Sequence, residues 1–468
     1  MGLMSLKKWT LKEVDEILRA NGLQSYIDEV DAAKYRKRKS KKVFRSVSGE
    51  EEKKEVVQSP GEIIGNIVFE QQNQTNYIVY DIELDDFLIT DREKGFTSWE
   101  TEKTVYVPIS RPLWRNLPIP EMSPFLLRDL YADVRRFIFN HVDFAKDTEY
   151  DLATAWVLHT WRLENFSITP YLFFYGPASS GKTRAMEALA ALSFRPFMGA
   201  TKPAGLYNLT ERYKPTIFLD ETELYLRGEE KADVINYLNM GYRRGQQVIR
   251  MIEDKKTGKL EATPFDTFGA KSLAGTRDLM TTLKTRSFIY FMSRATRKLR
   301  RTIDWEEADR IKRTLITYRF KALAETRERN TLLRPIPDDF LPDLQDSRLR
   351  ELFFPLVSCS PDPSLFLKYA YVLDEEITRQ DELSIESFVF NAIVQCHTEG
   401  RQFIPLTEVV NFLNLTLPSD DTLSSKTVSA VLRRLGFKKF LKRYIHIVWD
   451  DQLVERLSKR YPIRKAEV

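Results

Sequence analysis

Cysteine is nearly missing from this sequence: 468 residues hold two, Cys359 and Cys396. They stand far apart, with no Cys-x-x-Cys and no nearby histidine pair, which excludes a disulfide framework and a structural zinc site of the usual spacing. Also missing is any apolar run approaching the roughly 20 residues that a membrane helix needs. Met1 to Thr10 holds no apolar core of signal-peptide length. No internal repeat has a fixed period. A large excess of one charge is absent too: 72 Lys and Arg against 67 Asp and Glu leave a formal +5. Any nucleic-acid surface must therefore be a local patch. These absences point to a soluble, unprocessed protein of a reducing cytoplasm with no membrane partner, and the length to two or three domains.

What is present divides by pattern. Residues 1–58 combine helical spacing at Val14, Ile17, Leu18, Leu23, Tyr26 and Ile27 with a basic run from Lys34 to Lys42 and a mixed-charge linker. Residues 59–120 switch to short Ile-, Val-, Tyr- and Phe-rich runs such as Tyr77 to Tyr80 and Phe87 to Ile89, expected to form a small β-rich domain. Residues 121–167 read as a helical collar. Across residues 168–300, apolar runs of strand length (Tyr171 to Tyr175, Thr216 to Leu219, Ser272 to Ala274, Ser287 to Phe291) alternate with helical patterns. That predicts an α/β core with a parallel sheet flanked by helices. Residues 301–395 read as a helical lid or connector. Residues 396–468 follow the helix, helix, β-pair order of a winged helix.

Between the first strand and its helix the chain reads Gly176-Pro177-Ala178-Ser179-Ser180-Gly181-Lys182-Thr183, followed by Arg184. A triphosphate can be held by several backbone N–H groups pointing out of a tight turn onto a helix N-terminus, and the two glycines permit that turn. At this spacing Lys182 reaches the β and γ phosphates of ATP and the Thr183 hydroxyl ligates Mg²⁺. Less than forty residues on, the apolar run Pro215 to Leu219 ends in Asp220 and Glu221. Asp220 would hold Mg²⁺ through water and Glu221 would polarise the attacking water. An apolar strand ending in two acids is often only a strand meeting solvent; after this glycine loop, catalysis is the better reading.

The run from Trp156 to Trp161 through this loop, Asp220-Glu221, Tyr242 to Gly245, Lys271 to Gly275 and Thr285 to Ser287 resembles ATPase domains of plasmid- and phage-encoded replicative helicases. These are AAA+ P-loop proteins near superfamily 3 and the minichromosome maintenance helicases. The resemblance covers about Asp151 to Arg294. It implies that Thr276 senses the γ phosphate, although asparagine is commoner there. It also implies that Arg286 is an arginine finger acting across a subunit boundary, with Arg277 the competing choice. A finger of that kind implies a homo-oligomeric ring, usually of six subunits.

Gln247 to Ile252 and Lys259 to Ala262 flank turn residues and predict a β-hairpin. In similar helicases a hairpin at this place enters the central channel, where Lys255, Lys256 and Lys259 would grip phosphates; the plain alternative is a soluble tip. In the winged helix, Ser425 to Arg434 would be the recognition helix, offering Lys426, Arg433 and Arg434 to DNA phosphates; the alternative is a protein-contact module. The expected activity is an ATP-dependent DNA helicase or translocase of a replication system, with a separate primase. The alternatives are an ATP-controlled DNA-binding initiator, loader or defence ATPase without unwinding, and a protein-remodelling AAA+ ATPase.

Overall fold

The computed structural model describes residues 54–90, 99–101, 103–199, 202–220, 228–253, 260–328, 333–382, 384–416, 422–441 and 443–463. The helices and basic run expected before residue 54 lie outside them. The chain divides into two compact units, a smaller one of residues 1–55 with 101–104 and a larger one of residues 56–100 with 105–468. In the smaller unit the Glu55 N–H donates to the Lys103 carbonyl at 3.0 Å.

The larger unit opens with an antiparallel meander of β1 (Gly61–Ile64), β2 (Ile67–Gln71), β3 (Tyr77–Asp81) and β4 (Asp86–Ile89), paired in chain order. Alternation along these strands serves two faces. Val68, Ile78 and Tyr80 join the main core, where Tyr80 stacks on Phe320 at 4.6 Å, while Phe69, Tyr77 and Val79 form a small cluster on the other side. Glu70, on the core face, is buried and bound by two arginines. Arg195 donates to its Oε2 and Arg319 Nε to its Oε1 at 2.8 Å; Arg319 also reaches Glu164 at 2.7 Å. Gly61 has φ 144, and a Cβ there would meet the Phe69 carbonyl at 2.3 Å and Arg195 Nη2 at 2.5 Å. The turn into the meander therefore requires glycine.

Helices α1 (Leu127–His141) and α2 (Asp147–Thr160) follow. α2 is buried along nearly its whole length, which explains why Ala, Trp, Val and Leu cover it on all sides. The central sheet comprises β5 (Tyr171–Tyr175), β6 (Pro196–Met198), β7 (Thr216–Leu219), β10 (Lys271–Gly275) and β11 (Ser287–Phe291), all parallel, in spatial order β11-β5-β10-β7-β6. Between its strands run α3 (Lys182–Leu192), α4 (Pro203–Tyr213), α5 (Gly228–Met240) and the short α6 (Thr281–Lys284). A hairpin of β8 (Gln247–Glu253) and β9 (Leu260–Asp266) precedes β10.

Lys271, at the amino end of β10, is buried, and its Nζ donates to the carbonyls of Thr267 at 2.8 Å, Gly269 at 2.9 Å and Gly241 at 3.3 Å. It thereby fastens the hairpin's base to the central strand.

The helix α7 (Trp305–Glu328), which sequence reading places in the lid or connector, lies against α1 and α3. Its Ala308, Leu315, Phe320 and Leu323 are fully buried. α8 (Ser347–Val357) and α9 (Pro363–Glu382) pack on each other and on α2. A separate apolar cluster gathers α10 (Ile385–Cys396), α11 (Leu406–Thr416), α12 (Ser425–Leu435) and α13 (Asp451–Ser458) around a three-stranded antiparallel sheet. That sheet has the order β12 (Phe403–Pro405), β14 (Ile445–Val448), β13 (Lys439–Leu441). Ser384, Ser424 and Asp450 cap the helices that follow them, and Gly436, with φ 99, closes α12. Among the described residues no helix is long and apolar enough to cross a membrane.

Candidate nucleotide site

The register of the central sheet brings three loops to one edge. Tyr175 lies opposite Gly275, and Leu219 opposite Leu273. The chain thus leaves β5 and β10 at one level, into Gly176 and Thr276, and β7 two residues earlier, into Asp220. β5 and β7 are buried, which is why their sequences are continuous apolar runs without alternation.

The turn after β5 is tightly built. A Cβ on Gly176 would meet the Met292 carbonyl oxygen at 2.3 Å and Ser180 Oγ at 2.9 Å, and Gly181 has φ 91. Ser179 also takes a left-handed conformation, at φ 62. This curls the loop so that Pro177, Ala178 and Ser179 are exposed while Ser180 and Lys182 are buried. Lys182 Nζ donates to the carbonyls of Gly176 at 2.9 Å and Pro177 at 2.8 Å. Ser180 Oγ is buried and has no hydrogen-bond partner. Gly181 accepts the first helical bond of α3 from Ala185 at 2.9 Å, leaving the N–H groups before it directed out of the helix. Arg184 turns sideways, donating to the Arg300 carbonyl at 2.8 Å and pairing with Glu187 at 3.3 Å.

Thr183 Oγ1 donates to Asp220 Oδ2 at 2.9 Å. Two residues 37 apart in sequence, each predicted to ligate Mg²⁺, are therefore adjacent. Glu221 lies outside the described residues. Thr276 is exposed just past Gly275, whose carbonyl accepts from the Gly176 N–H at 3.3 Å. Arg277 follows on this same edge.

Arg286 stands at the other end of the sheet. Its carbonyl accepts from the Tyr171 N–H at 2.9 Å, at the amino end of β5. The five residues of β5 separate it from the glycine loop, about 16 Å of strand rise. Its guanidinium lies over the Tyr242 ring at 4.6 Å and donates to the Thr282 carbonyl, while its Nε is buried without a partner. Burial first, and then the neighbouring Arg348, lower its affinity for its proton. Arg348 also faces Tyr242, at 5.9 Å, and donates to Thr285 Oγ1 at 2.8 Å. The structure thus divides the two arginines considered for the finger: Arg277 is on the loop's own edge, Arg286 a strand length away.

The expected hairpin is present, its second strand running on to Asp266, with Gln247 opposite Asp266 and Glu253 opposite Leu260. Its tip, with Lys255, Lys256 and Lys259, lies outside the described residues. Lys426 and Arg433 are exposed on α12, whose buried stripe is Val428, Val431, Leu432 and Leu435. Arg434 is exposed too and pairs with Glu386 of α10 at 3.0 Å. Lys426, Arg433 and Arg434 are far from the glycine loop in sequence. Sequence reading did not find Met292, whose backbone carbonyl closes over Gly176; a backbone contact made after the last strand leaves no side-chain signal.

No protein-family model and no curated protein matches the sequence. Among solved structures, the apo A form of the NrS-1 C-terminal region aligns over 81% of this chain and 94% of its own, at 11% identity and a TM-score of 0.33. A chain of the Drosophila ORC bound to DNA aligns over 75% and 96%, at 10% identity and a TM-score of 0.19. Scores this low establish no shared fold.

Proposed function

We propose that the chain is an ATP-dependent DNA helicase or translocase, built on an AAA+ core and working as a ring of identical subunits. The observation that carries the nucleotide part is the contact of Thr183 with Asp220 beside Lys182 and the curled glycine loop. The residues fit Mg-ATP. Ser180 offers a buried hydroxyl without a partner, Gly176 leaves no room for a side chain, and Thr183 and Asp220 form a hard oxygen pair suited to Mg²⁺. Loop N–H groups and Lys182 would hold the phosphates. Lys182, now satisfied by two carbonyls of its own loop, would exchange them for phosphate oxygens. Bound ATP supplies a phosphoryl group for transfer to water; Glu221 is the residue proposed to polarise that water, and Thr276 to sense the γ phosphate.

The reading of Arg286 as a finger toward a neighbouring copy is supported by its place at the far end of the sheet from its own loop. DNA as the partner is supported by exposed Lys426 and Arg433 on the second helix of a helix-helix-sheet arrangement read as a winged helix, and by the lysines of the hairpin tip.

The test is steady-state ATP hydrolysis with and without single-stranded DNA at low salt, in wild type, Lys182→Ala and Arg286→Ala. The expected outcome is DNA-stimulated hydrolysis, abolished in Lys182→Ala and reduced by roughly 10³- to 10⁵-fold in Arg286→Ala. Hydrolysis indifferent to DNA would instead favour remodelling of a protein partner.

A further inference from the structure

The sheet β12-β14-β13 has one ordinary face. Ile404 and Ile447 lie opposite each other, are fully buried, and close the C-terminal apolar cluster. By alternation the other face should be polar, as on an antiparallel sheet with one side in water. It is not. The residues that emerge there are Phe403, Pro405, Phe440, His446 and Val448, because Phe440 pairs with His446 and Phe403 with Val448.

Phe403 and Phe440 come from the two outer strands, about 10 Å apart across the middle one. Yet their ring centroids are 5.2 Å apart at 42°, so the rings lean together over β14. They remain 40% and 46% exposed, and Tyr444 in the turn between β13 and β14 is 63% exposed. The sequence around them is basic. From Gly436 to Trp449 the chain has four, Lys438, Lys439, Lys442 and Arg443, and no carboxylate. Lys438, two residues before Phe440, emerges on the aromatic face, and Lys438 and Arg443 are both exposed.

We infer that this outer face binds unpaired nucleic-acid bases, the aromatic rings stacking on them while Lys438 and Arg443 hold the adjoining phosphates. Exposed apolar surface beside positive charge calls for a partner with flat apolar faces and a regular negative charge, and a single strand has both. A duplex does not: its base faces are covered by each other, leaving edges and phosphates. The inference names an unpaired-strand surface separate from the recognition helix. It rests on the nucleic-acid part of the reading above and not on hydrolysis.

The test uses the full chain without nucleotide. Fluorescent dT20 is photocrosslinked and the attached peptides are mapped; binding of dT20 and of a blunt 20-base-pair duplex is then compared in wild type, the double variant Phe403→Ala/Phe440→Ala, and Phe440→Trp. The expected result is crosslinking within residues 397–449 and a loss of dT20 affinity in the double variant. That loss should be roughly 5- to 150-fold per base unstacked, with duplex binding unchanged within about twofold and Phe440→Trp like wild type. Crosslinks confined to other segments, equal losses for duplex and single strand, or a changed oligomeric mass in the double variant would overturn it; the last would make the face a contact between copies. If Lys182→Ala abolishes hydrolysis while crosslinks fall elsewhere, only this inference fails. If the chain hydrolyses nothing yet dT20 attaches here, only the ATPase reading fails.

Discussion

Lys271 shows how much of this molecule is set by single buried polar groups. Three carbonyls and the rings of Tyr171 and Tyr237, 5.2 and 4.9 Å away, surround its Nζ, and burial, opposed by the charge of Asp266, draws its ammonium from the ordinary lysine value down to about 7. In the unfolded chain a lysine keeps its proton to about 10.4. Between these values the unfolded state binds more protons, so stability should rise with pH from about 7 toward 10 and be independent of this group below about 7. Replacing Lys271 with Met removes that titration. Melting temperatures measured from pH 7 to 9.5 should then rise less steeply than in wild type; an unchanged slope would mean that the three carbonyls keep the ammonium charged. At this scale the shape of the glycine loop was legible, because Gly176 and Gly181 serve a backbone turn that requires glycine at that spacing. The role of Met292 was not, because any residue there would present the same carbonyl.

The elements were legible where burial imposes a pattern. Tyr171–Tyr175 and Thr216–Leu219 are buried runs without alternation because they are inner strands, and Gln247–Glu253 with Leu260–Asp266 announce themselves by the turn residues between them. Pro196–Met198 escaped notice: three residues beginning with proline at a sheet edge carry no period. Strand order was also out of reach, since it depends on which apolar faces meet. Helix α12 offers a direct check on local chemistry. Gly436 ends it in the left-handed conformation, and the N–H groups of Gly436 and Phe437 donate to the carbonyls of Arg433 at 3.1 Å and Leu432 at 3.0 Å. A Cβ there would touch only Leu453 at 3.5 Å, an ordinary contact, so the cost of Gly436→Ala is conformational. It should be about 1 kcal/mol, read as roughly fivefold faster hydrogen exchange at Gly436 and Phe437. Exchange unchanged at both amides would show that the cap contributes nothing.

For the whole molecule the decisive fact is that the glycine loop and Arg286 occupy opposite ends of the same strands. If each nucleotide site is completed by its neighbour's Arg286, two inactive variants should complement. In a 1:1 mixture of Lys182→Ala and Arg286→Ala subunits, an active boundary needs an intact loop from one and an intact finger from the other. Random assembly then gives roughly a quarter of the wild-type boundaries, one half times one half. Hydrolysis near that fraction after mixing, measured against either variant alone, is the expected outcome. A mixture as inactive as its components would assign Arg286 to holding Tyr242 and the sheet's far end.

The buried cluster at Glu70 limits how this protein can be dissected. Its carboxylate, on the second strand of the opening meander, answers Arg195 at the edge of the central parallel sheet and Arg319 in the long helix behind it, 125 and 249 residues away. A fragment beginning at the glycine loop's own strand would keep both guanidiniums and lose the anion between them. Leaving such charges buried without a partner costs several kcal/mol each. The meander is therefore no detachable adaptor: trimming it away, or exchanging it for another, should destabilise the sheet that carries Asp220.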